Sequence, residues 1–502
     1  MIDLFVSAFL NLMTVSNILL MLVGIVVGII FGAIPGLSSS MAIALFLPIT
    51  FGLSQYAAFA LLIALYIGGV SGGLISAILI NVPGSAMSIA TCYDGHPMAA
   101  NGRAHRALGT GIVFSFIGTI FGVFVLIFAA PYLADIAVKL GPFEYFTLIL
   151  FALMLIIGIS GADLVKGITA GVLGMATTMV GLAPVDSVKR FTFGSYTLLD
   201  GFPLLPLIIG LFAVTSILKT SEKAIGVEDL EHFAYKKEKG WGFTLVEFFK
   251  QTKNTIVSAV IGVIIGFLPG MGGTLANQLA YATAQKTSKH PEKFGTGIMD
   301  GIVASETSNN ASIGGAMIPL LALGIPGDGP TAMLLGAFTI QGLVAGPLLF
   351  KTSADLVYLI FAAMLVCSIL MIVIEYYGIA FFLQAMKIPK GMLLPIIVML
   401  SSVGAYASGN NMFNLWTVVI FGIVGFVFGK IGFPVAPFIL GAVLGPNIES
   451  NLRRALQLSR ASFMPFITRP VSLILLLLSL AVIISTAMIQ RKKHQEEKAA
   501  VN

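Results

Sequence analysis

Residues 262–273 read GVIIGFLPGMGG, and the way this stretch is read decides the fold. It begins as good membrane helix, yet Pro269, Gly270, Gly272 and Gly273 fall where such a helix should continue. Proline removes a backbone donor and clashes with the preceding turn, and an unpaired backbone group in lipid costs as much as burying a whole side chain gains. Such a break is tolerated at membrane depth only where protein or a water-filled cavity lines it. It therefore marks a place built for a purpose.

The rest of the chain supplies the membrane. Of 502 residues 57% are hydrophobic and 10% are charged, more apolar surface than one soluble core of this length could cover. Spans of about 20 apolar residues recur from end to end, among them NILLMLVGIVVGIIFGAI, the run from Ala57 to Ile80, LILFALMLIIGI and SLILLLLSLAVIIS. About 11–13 such segments predict an all-α polytopic membrane protein with discontinuous helices among its spans. Nothing alternates with the period of barrel strands, which favours a helical inner-membrane protein. The net charge of +6 sits in short loops beside the spans, as the positive-inside rule expects, and gives no support to nucleic-acid binding. Cys92 and Cys367 are isolated, so neither a disulfide nor a zinc site follows from them. Residues 1–15 lack the basic flank and cleavage site of a signal peptide and read as an interfacial or partner-binding helix.

The polar segment 219–254, KTSEKAIGVEDLEHFAYKKEKGWGFTLVEFFKQTKN, divides the chain into a membrane half at 16–218 and another at 255–489, with a basic tail at 490–502. Placing Pro35-Gly36 over Pro269-Gly270, an offset of 234, also superposes Gly28 on Gly262, Gly32 on Gly266 and Ala42 on Ala276. A second Pro-Gly follows in each half: NVPGS at 81–85 matches GIPGD at 324–328, at an offset of 243. The order break, span, break thus occurs twice. The loop charges reverse between the halves. GLSQYAAF after the first break is uncharged and NGRAHRALG after the second carries Arg103, His105 and Arg106; in the other half KTSKHPEKFG carries Lys286, Lys289 and Lys293, while AGPLLFK has only Lys351. If cytoplasmic loops collect Lys and Arg, the two repeats have inverted topology, and the central linker and the C-terminal tail are both cytoplasmic.

Paired discontinuous helices bring half-helix ends together near the bilayer midplane, where N–H groups suit anions and freed carbonyls suit cations. In PGLSSSMA, Ser38, Ser39 and Ser40 follow the turn with hydroxyls that can cap the new helix or donate to a carboxylate; PGMGGTLANQ offers Gly272 and Gly273 backbone, Thr274 and Asn277. Close helix packing is the simpler explanation for any one of these small residues. The later breaks add Asn81, Gly84, Ser85 and Ser88 in one half and Gly324, Gly327, Asp328 and Thr331 in the other. Asp328 at a hydrophobic break is costly unless it caps a helix, meets a cation or takes a proton. Before it lies ETSNNASIGG, where Glu306, Thr307, Ser308, Asn309, Asn310 and Ser312 form an oxygen-rich run that the first half lacks. Such a run suits a hard monovalent cation or a polar substrate, not zinc. The alternative for Glu306, 13 residues after Lys293, is a solvated position near the end of its span. Asp94 and His96 beyond NVPGS are candidates for a gating pair.

Together these stretches resemble the large membrane subunit of tripartite tricarboxylate transporters, the TctA family. The likeness lies in GAIPGLSSSMAIALFLPITFGL, ILINVPGSAMSIATCYDGHPMAANGRAHRALG, GFLPGMGG and ETSNNASIGGAMIPLLALGIPGDGPTAMLLGAF, and it covers nearly the whole chain. It implies a secondary transporter of the bacterial inner membrane, driven by Na+ or H+ with no cofactor, that works with a small four-span membrane subunit and a periplasmic solute-binding protein. The family often has Thr-Pro after the first of these Pro-Gly pairs and Ser-Pro after the second, where this chain has Ser85-Ala86 and Asp328-Gly329-Pro330. An acid at 328 would repel an anion unless protonated or paired, which places Asp328 with the ion or with helix capping.

The reading that results is a cation-coupled importer of a small carboxylate, alternating access about the breaks, in which a higher oligomer is compatible with everything above. Pro35, Gly36, Leu37, Ser38, Ser39, Ser40, Asn81, Gly84 and Ser85 would face Gly270, Gly272, Gly273, Thr274 and Asn277 across the anion. Glu306, Thr307, Ser308, Asn309 and Asn310 with Gly324, Gly327, Asp328 and Thr331 would hold the coupling ion. Two other classes stand against it: an intramembrane enzyme on a lipid or isoprenoid, which would need clustered acids or a nucleophile with its base and finds no HExxH here, and a passive anion channel.

Overall fold

The structure, a computed structural model, describes residues 2–159, 163–222, 238–388 and 390–501. The middle of the linker, residues 223–237, lies outside the described residues. The chain opens with α1 (Ile2–Leu12) and α2 (Val15–Ala33), breaks, and resumes as α3 (Ser39–Phe46), α4 (Gln55–Ser71) and α5 (Gly73–Ile80). A second break leads to α6 (Ile89–Met98) and α7 (Ala104–Ala137). Next come α8 (Pro142–Ile159), α9 (Leu164–Thr178), the strands β1 (Gly181–Leu182) and β2 (Lys189–Arg190), α10 (Leu204–Ile209) and α11 (Thr215–Glu222). Beyond the linker, α12 (Leu245–Lys250) runs into α13 (Thr252–Phe267), which ends at GFLPGMGG. Then follow α14 (Gly272–Thr287), α15 (Met299–Leu323), the fourth break and α16 (Gly329–Ile340). The remainder is α17 (Leu349–Thr352), α18 (Ala354–Met386), α19 (Lys390–Ala407), α20 (Met412–Lys430), α21 (Val435–Leu458), α22 (Met464–Thr468) and α23 (Pro470–Val501).

This is the all-α polytopic architecture the sequence predicts. Among the described residues six helices are long and apolar enough to cross a membrane, and eight shorter apolar helices accompany them. Three of the shorter ones, Ser39–Gly52, Thr252–Phe267 and Gly329–Ile340, adjoin Pro-Gly breaks, which cut a span into shorter pieces. Helix α23 continues beyond its apolar span, which ends at Arg491, to Val501.

Two compact units make up the chain: residues 1–135 with 216–404, and residues 136–215 with 405–502. Their boundary is not that between the halves, because each half of the sequence contributes one segment to each unit. In the second unit, α21 packs on α8 and α9 and α23 lies along α8. Arg190 of β2 grips Glu449 of α21 bidentately, Nη1 at 2.5 Å and Nη2 at 3.1 Å, and Arg453 joins Glu449 at 2.8 Å to Asp186 at 2.8 Å.

The first unit holds all four breaks, and the two halves build them alike. Ile34 and Leu268 end their helices in extended backbone (φ −86° and −79°), and Gly36 and Gly270 follow with φ of 95° and 80°, a region that only glycine enters without strain. At the later breaks Asn81 and Gly324 both close a helix in the left-handed region, with φ of 55° and 71°. The glycine packing repeats at the same offsets. A Cβ on Gly28 would meet the Leu65 carbonyl oxygen at 2.7 Å and one on Gly262 the Ser308 oxygen at 2.3 Å; one on Gly84 would meet the Gly32 oxygen at 2.0 Å and one on Gly327 the Gly266 oxygen at 2.6 Å. Backbones this close leave room for hydrogen alone, so α2 seats against α4 as α13 seats against α15.

Candidate functional site

The breaks meet one another. Gly84 lies on the Gly32 carbonyl and Gly327 on that of Gly266, which joins the two breaks of each half, and Gly270 N–H donates to Gly327 O at 2.8 Å. Across the halves, Met87 packs over Gly273, Asn277 Oδ1 accepts from Ala90 N–H at 2.7 Å, and α3 packs on α16. The four breaks therefore form a closed circuit within the first unit. Gly36, Asn81, Ala86 and Gly270 are exposed at their tips, while Gly84, Gly272, Gly273, Gly324, Gly327 and Asp328 are buried behind them.

The expected anion residues divide accordingly. Ser38 Oγ caps α3 by accepting from Met41 N–H at 3.2 Å, and its proton stays available for donation. Ser39 and Ser40 are 3% and 7% exposed, and Ser39 fills the notch left by Gly69. Pro35 and Leu37 bracket the turn, and Gly36 O accepts from Ser216 Oγ at 3.0 Å. Gly272 and Gly273, expected as open backbone, are covered, the first by the Asp328 Cβ and the second by Asn309 and Met87. Their small size serves close packing. Thr274 is half-buried one residue on. Asn277 spends its amide on protein: besides Ala90 it reaches Ser305 O at 3.2 Å and Thr91 Oγ1 at 3.5 Å. The hydroxyls of Ser85 and Ser88 are different. Both are buried beside Gly73, with no hydrogen-bond partner among the described residues.

The expected ion residues do not form one site. From Glu306 to Gly324 the helix rises about 25 Å, so the ETSNN and GIPGD segments lie far apart along α15. Glu306 is fully buried two turns into α15, which overturns the solvated position considered for it, because α6 and α7 cover that face. Its carboxylate accepts from Thr91 Oγ1, from Ser115 Oγ at 2.9 Å and from Asn310 Nδ2 at 3.4 Å, and Asn310 also donates to Ser115 Oγ at 2.9 Å. Asn309 reaches the third break, with its Oδ1 at Gly273, and Ser308 Oγ donates to its own helix at Ala304 O, 2.8 Å. Thr307 carries its carbonyl against Gly118 of α7.

Asp328 is a cap. Its Oδ1 accepts from Thr331 N–H at 2.9 Å while Thr331 Oγ1 accepts from Asp328 N–H at 2.9 Å, and Oδ2 accepts from Tyr66 Oη of α4 at 2.6 Å. Asp94 is a clamp: Oδ1 accepts from the N–H groups of Gly295, Gly297 and Ile298 at 2.8–3.0 Å and Oδ2 from Tyr281 Oη at 2.8 Å. His96 Nδ1 lies 3.2 Å from Ile78 O. The other ends of the repeats also touch, with Gln55 Nε2 on Gln341 O at 3.2 Å and Gln341 Nε2 on Thr50 O at 2.9 Å.

Reading the sequence missed Glu375, fully buried in α18, whose Oε2 accepts from Ser71 Oγ at 2.6 Å and whose Oε1 has no partner among the described residues. An acid in the interior of a 33-residue apolar helix was the available signal. Tyr66, Thr91 and Ser115 gave none, being ordinary residues of apolar helices until the fold puts them opposite an acid.

Broken helices meeting in a closed circuit, with buried acids and hydroxyls around them, define a polytopic membrane protein of the transporter kind. The chain matches the Tripartite tricarboxylate transporter TctA family over residues 18–440, and it belongs to that family. It is 34% identical over 493 residues, 97% of this chain and 96% of the relative, to an Agrobacterium vitis protein described as "Uncharacterized 52.8 kDa protein in TAR-I ttuC' 3'region". A second Agrobacterium vitis protein, "Uncharacterized protein in TAR-II ttuC' 3'region", is 36% identical over 236 residues, 47% of this chain and 98% of the relative.

Proposed function

We propose that this chain is the large subunit of a binding-protein-dependent importer of a small carboxylate, coupled to a Na+ or H+ gradient, in the bacterial inner membrane. The observation that carries the reading is the closed circuit of four Pro-Gly breaks, with the unpartnered Ser85 and Ser88 hydroxyls on it as donors suited to a carboxylate. Ser38, with its spare proton, and the exposed turn at Gly36 join them. Asp328 stands outside this set because its oxygens already serve Thr331 and Tyr66, so its charge need not meet the anion. The coupling ion belongs to Glu306 and Asn310 with Thr91 and Ser115, a buried oxygen cluster about which both halves close.

Inverted topology is supported by which loops touch. The loop after the first break meets the segment after the fourth at Gln55 and Gln341, and the segment after the second meets the loop after the third at Asp94. Parallel repeats would pair first with third. With the basic loops cytoplasmic, the linker and C-terminus are cytoplasmic too, and the periplasmic binding protein and small four-span subunit complete the assembly.

Proteoliposomes test the reading. With the cognate binding protein loaded with its acid on the outside, uptake should require an inward Na+ or H+ gradient, and should cease when both are collapsed. Uptake that ignores both gradients would overturn secondary coupling.

A further inference from the structure

The basic side chains flanking the Asp94 clamp have an ordinary explanation as positive loop charge, but a solvated fringe does not converge. Here it does. Arg103 from the turn before α7, Arg106 from its start, Lys250 from α12 and Lys293 from the loop before α15 line one cavity of about 360 Å³. Three segments far apart in sequence thus deliver four cations to a space large enough for a small ligand. Glu247 in the same wall is committed to Arg106 Nη2 at 2.5 Å and to the Thr244 N–H at 2.8 Å, and Asp300 accepts from Gln251 Nε2 at 3.0 Å. No described carboxylate forms an ion pair with Arg103, Lys250 or Lys293. The cavity's unmet need is for negative charge.

What sits beside it names the source of that charge. On α12, Leu245, Val246 and Phe249 are 76%, 65% and 67% exposed, and the exposed apolar row continues along α13 through Ile256, Val260 and Ile264. Lys250 and Glu247 turn toward the cavity, on the neighbouring arc of the same helix. A headgroup-sized cationic cavity whose rim continues as an exposed apolar face fits a molecule that is anionic at one end and hydrocarbon at the other.

We propose that this cavity binds the phosphate of an anionic phospholipid, with Arg103, Lys250 and Lys293 as its ligands and the α12–α13 face against its acyl chains. The bound lipid ties the start of α7, the end of the linker and the loop held by Asp94 into one piece. This stands apart from carboxylate transport and holds whichever ion drives it.

The test uses the full chain purified in nanodiscs of phosphatidylcholine with and without phosphatidylglycerol. Native mass spectrometry should show phosphatidylglycerol retained by the wild type, and each of Arg103→Gln, Lys250→Gln and Lys293→Gln should weaken retention about fivefold, from the worth of one cation near an anionic headgroup. Phosphatidylglycerol should also raise the melting temperature of the wild type more than that of the single variants, whose melting in phosphatidylcholine alone reports that they fold. Equal retention by wild type and all three variants would overturn the site. If millimolar inorganic phosphate or a tricarboxylate in phosphatidylcholine discs raises the melting temperature as much as phosphatidylglycerol does, the ligand is a free anion and the lipid assignment falls.

Discussion

At residue scale the telling position is 328, where the two halves carry different chemistry at the same turn. The equivalent residue in the first half is Ser85, with a free hydroxyl; in the second it is an acid whose oxygens both have partners. Asp328→Ala removes the cap of α16 and strands the buried Tyr66 hydroxyl, and should cost about 2–4 kcal/mol. Asp328→Asn keeps an oxygen for Thr331 N–H and an amide for Tyr66, so it should melt with the wild type and keep coupled uptake. If it melts normally but loses coupling, the carboxylate charge serves the ion after all. The first Pro-Gly turn of each half was legible because the left-handed glycine after its proline, Gly36 or Gly270, is a local requirement written in adjacent residues. The partners of Glu306 were not. Thr91 and Ser115 stand 215 and 191 positions away, and nothing local marks a threonine that will face an acid.

At the scale of elements, α12 shows how the visible end of the linker folds. Thr244 and Glu247 form a reciprocal capping box, and Arg106 of α7 adds an ion pair. The backbone N–H of Thr244 and then Arg106 hold the Glu247 carboxyl down at about 2, below the ordinary carboxylate value of 4.5. A group whose value falls on folding stabilises above its unfolded value and loses that contribution as pH drops through the folded one. The melting deficit of Glu247→Gln should therefore be the same at pH 8 and pH 5, shrink as the unfolded carboxyl protonates below about 4.5, and be gone near 2. A deficit that grows on acidification would show that the capping carboxylate is not what the substitution removes. The sequence presents this segment only as polar linker, since a six-residue helix has no period long enough to read.

At the scale of the whole molecule, the repeat order was legible from two Pro-Gly offsets, but the compact units were not, because contacts between halves decide them. Sidedness can be measured. Single cysteines at Asn101 and Lys286 should react with an impermeant maleimide from the cytoplasmic face, and cysteines at Gly52 and Lys351 from the other; all four positions are exposed, and native Cys92 and Cys367 are buried. Labelling of Asn101 and Lys286 from opposite faces would reject inversion.

The Asp94 clamp also sets a timetable for synthesis. The residues it binds, Gly295 to Ile298, leave the ribosome some 200 positions after it does, about 10–40 s later at ordinary elongation rates. For that interval the Asp94 carboxylate lacks every hydrogen-bond donor that the second half supplies to it. A nascent chain arrested within the linker would hold part of each compact unit and the whole of neither.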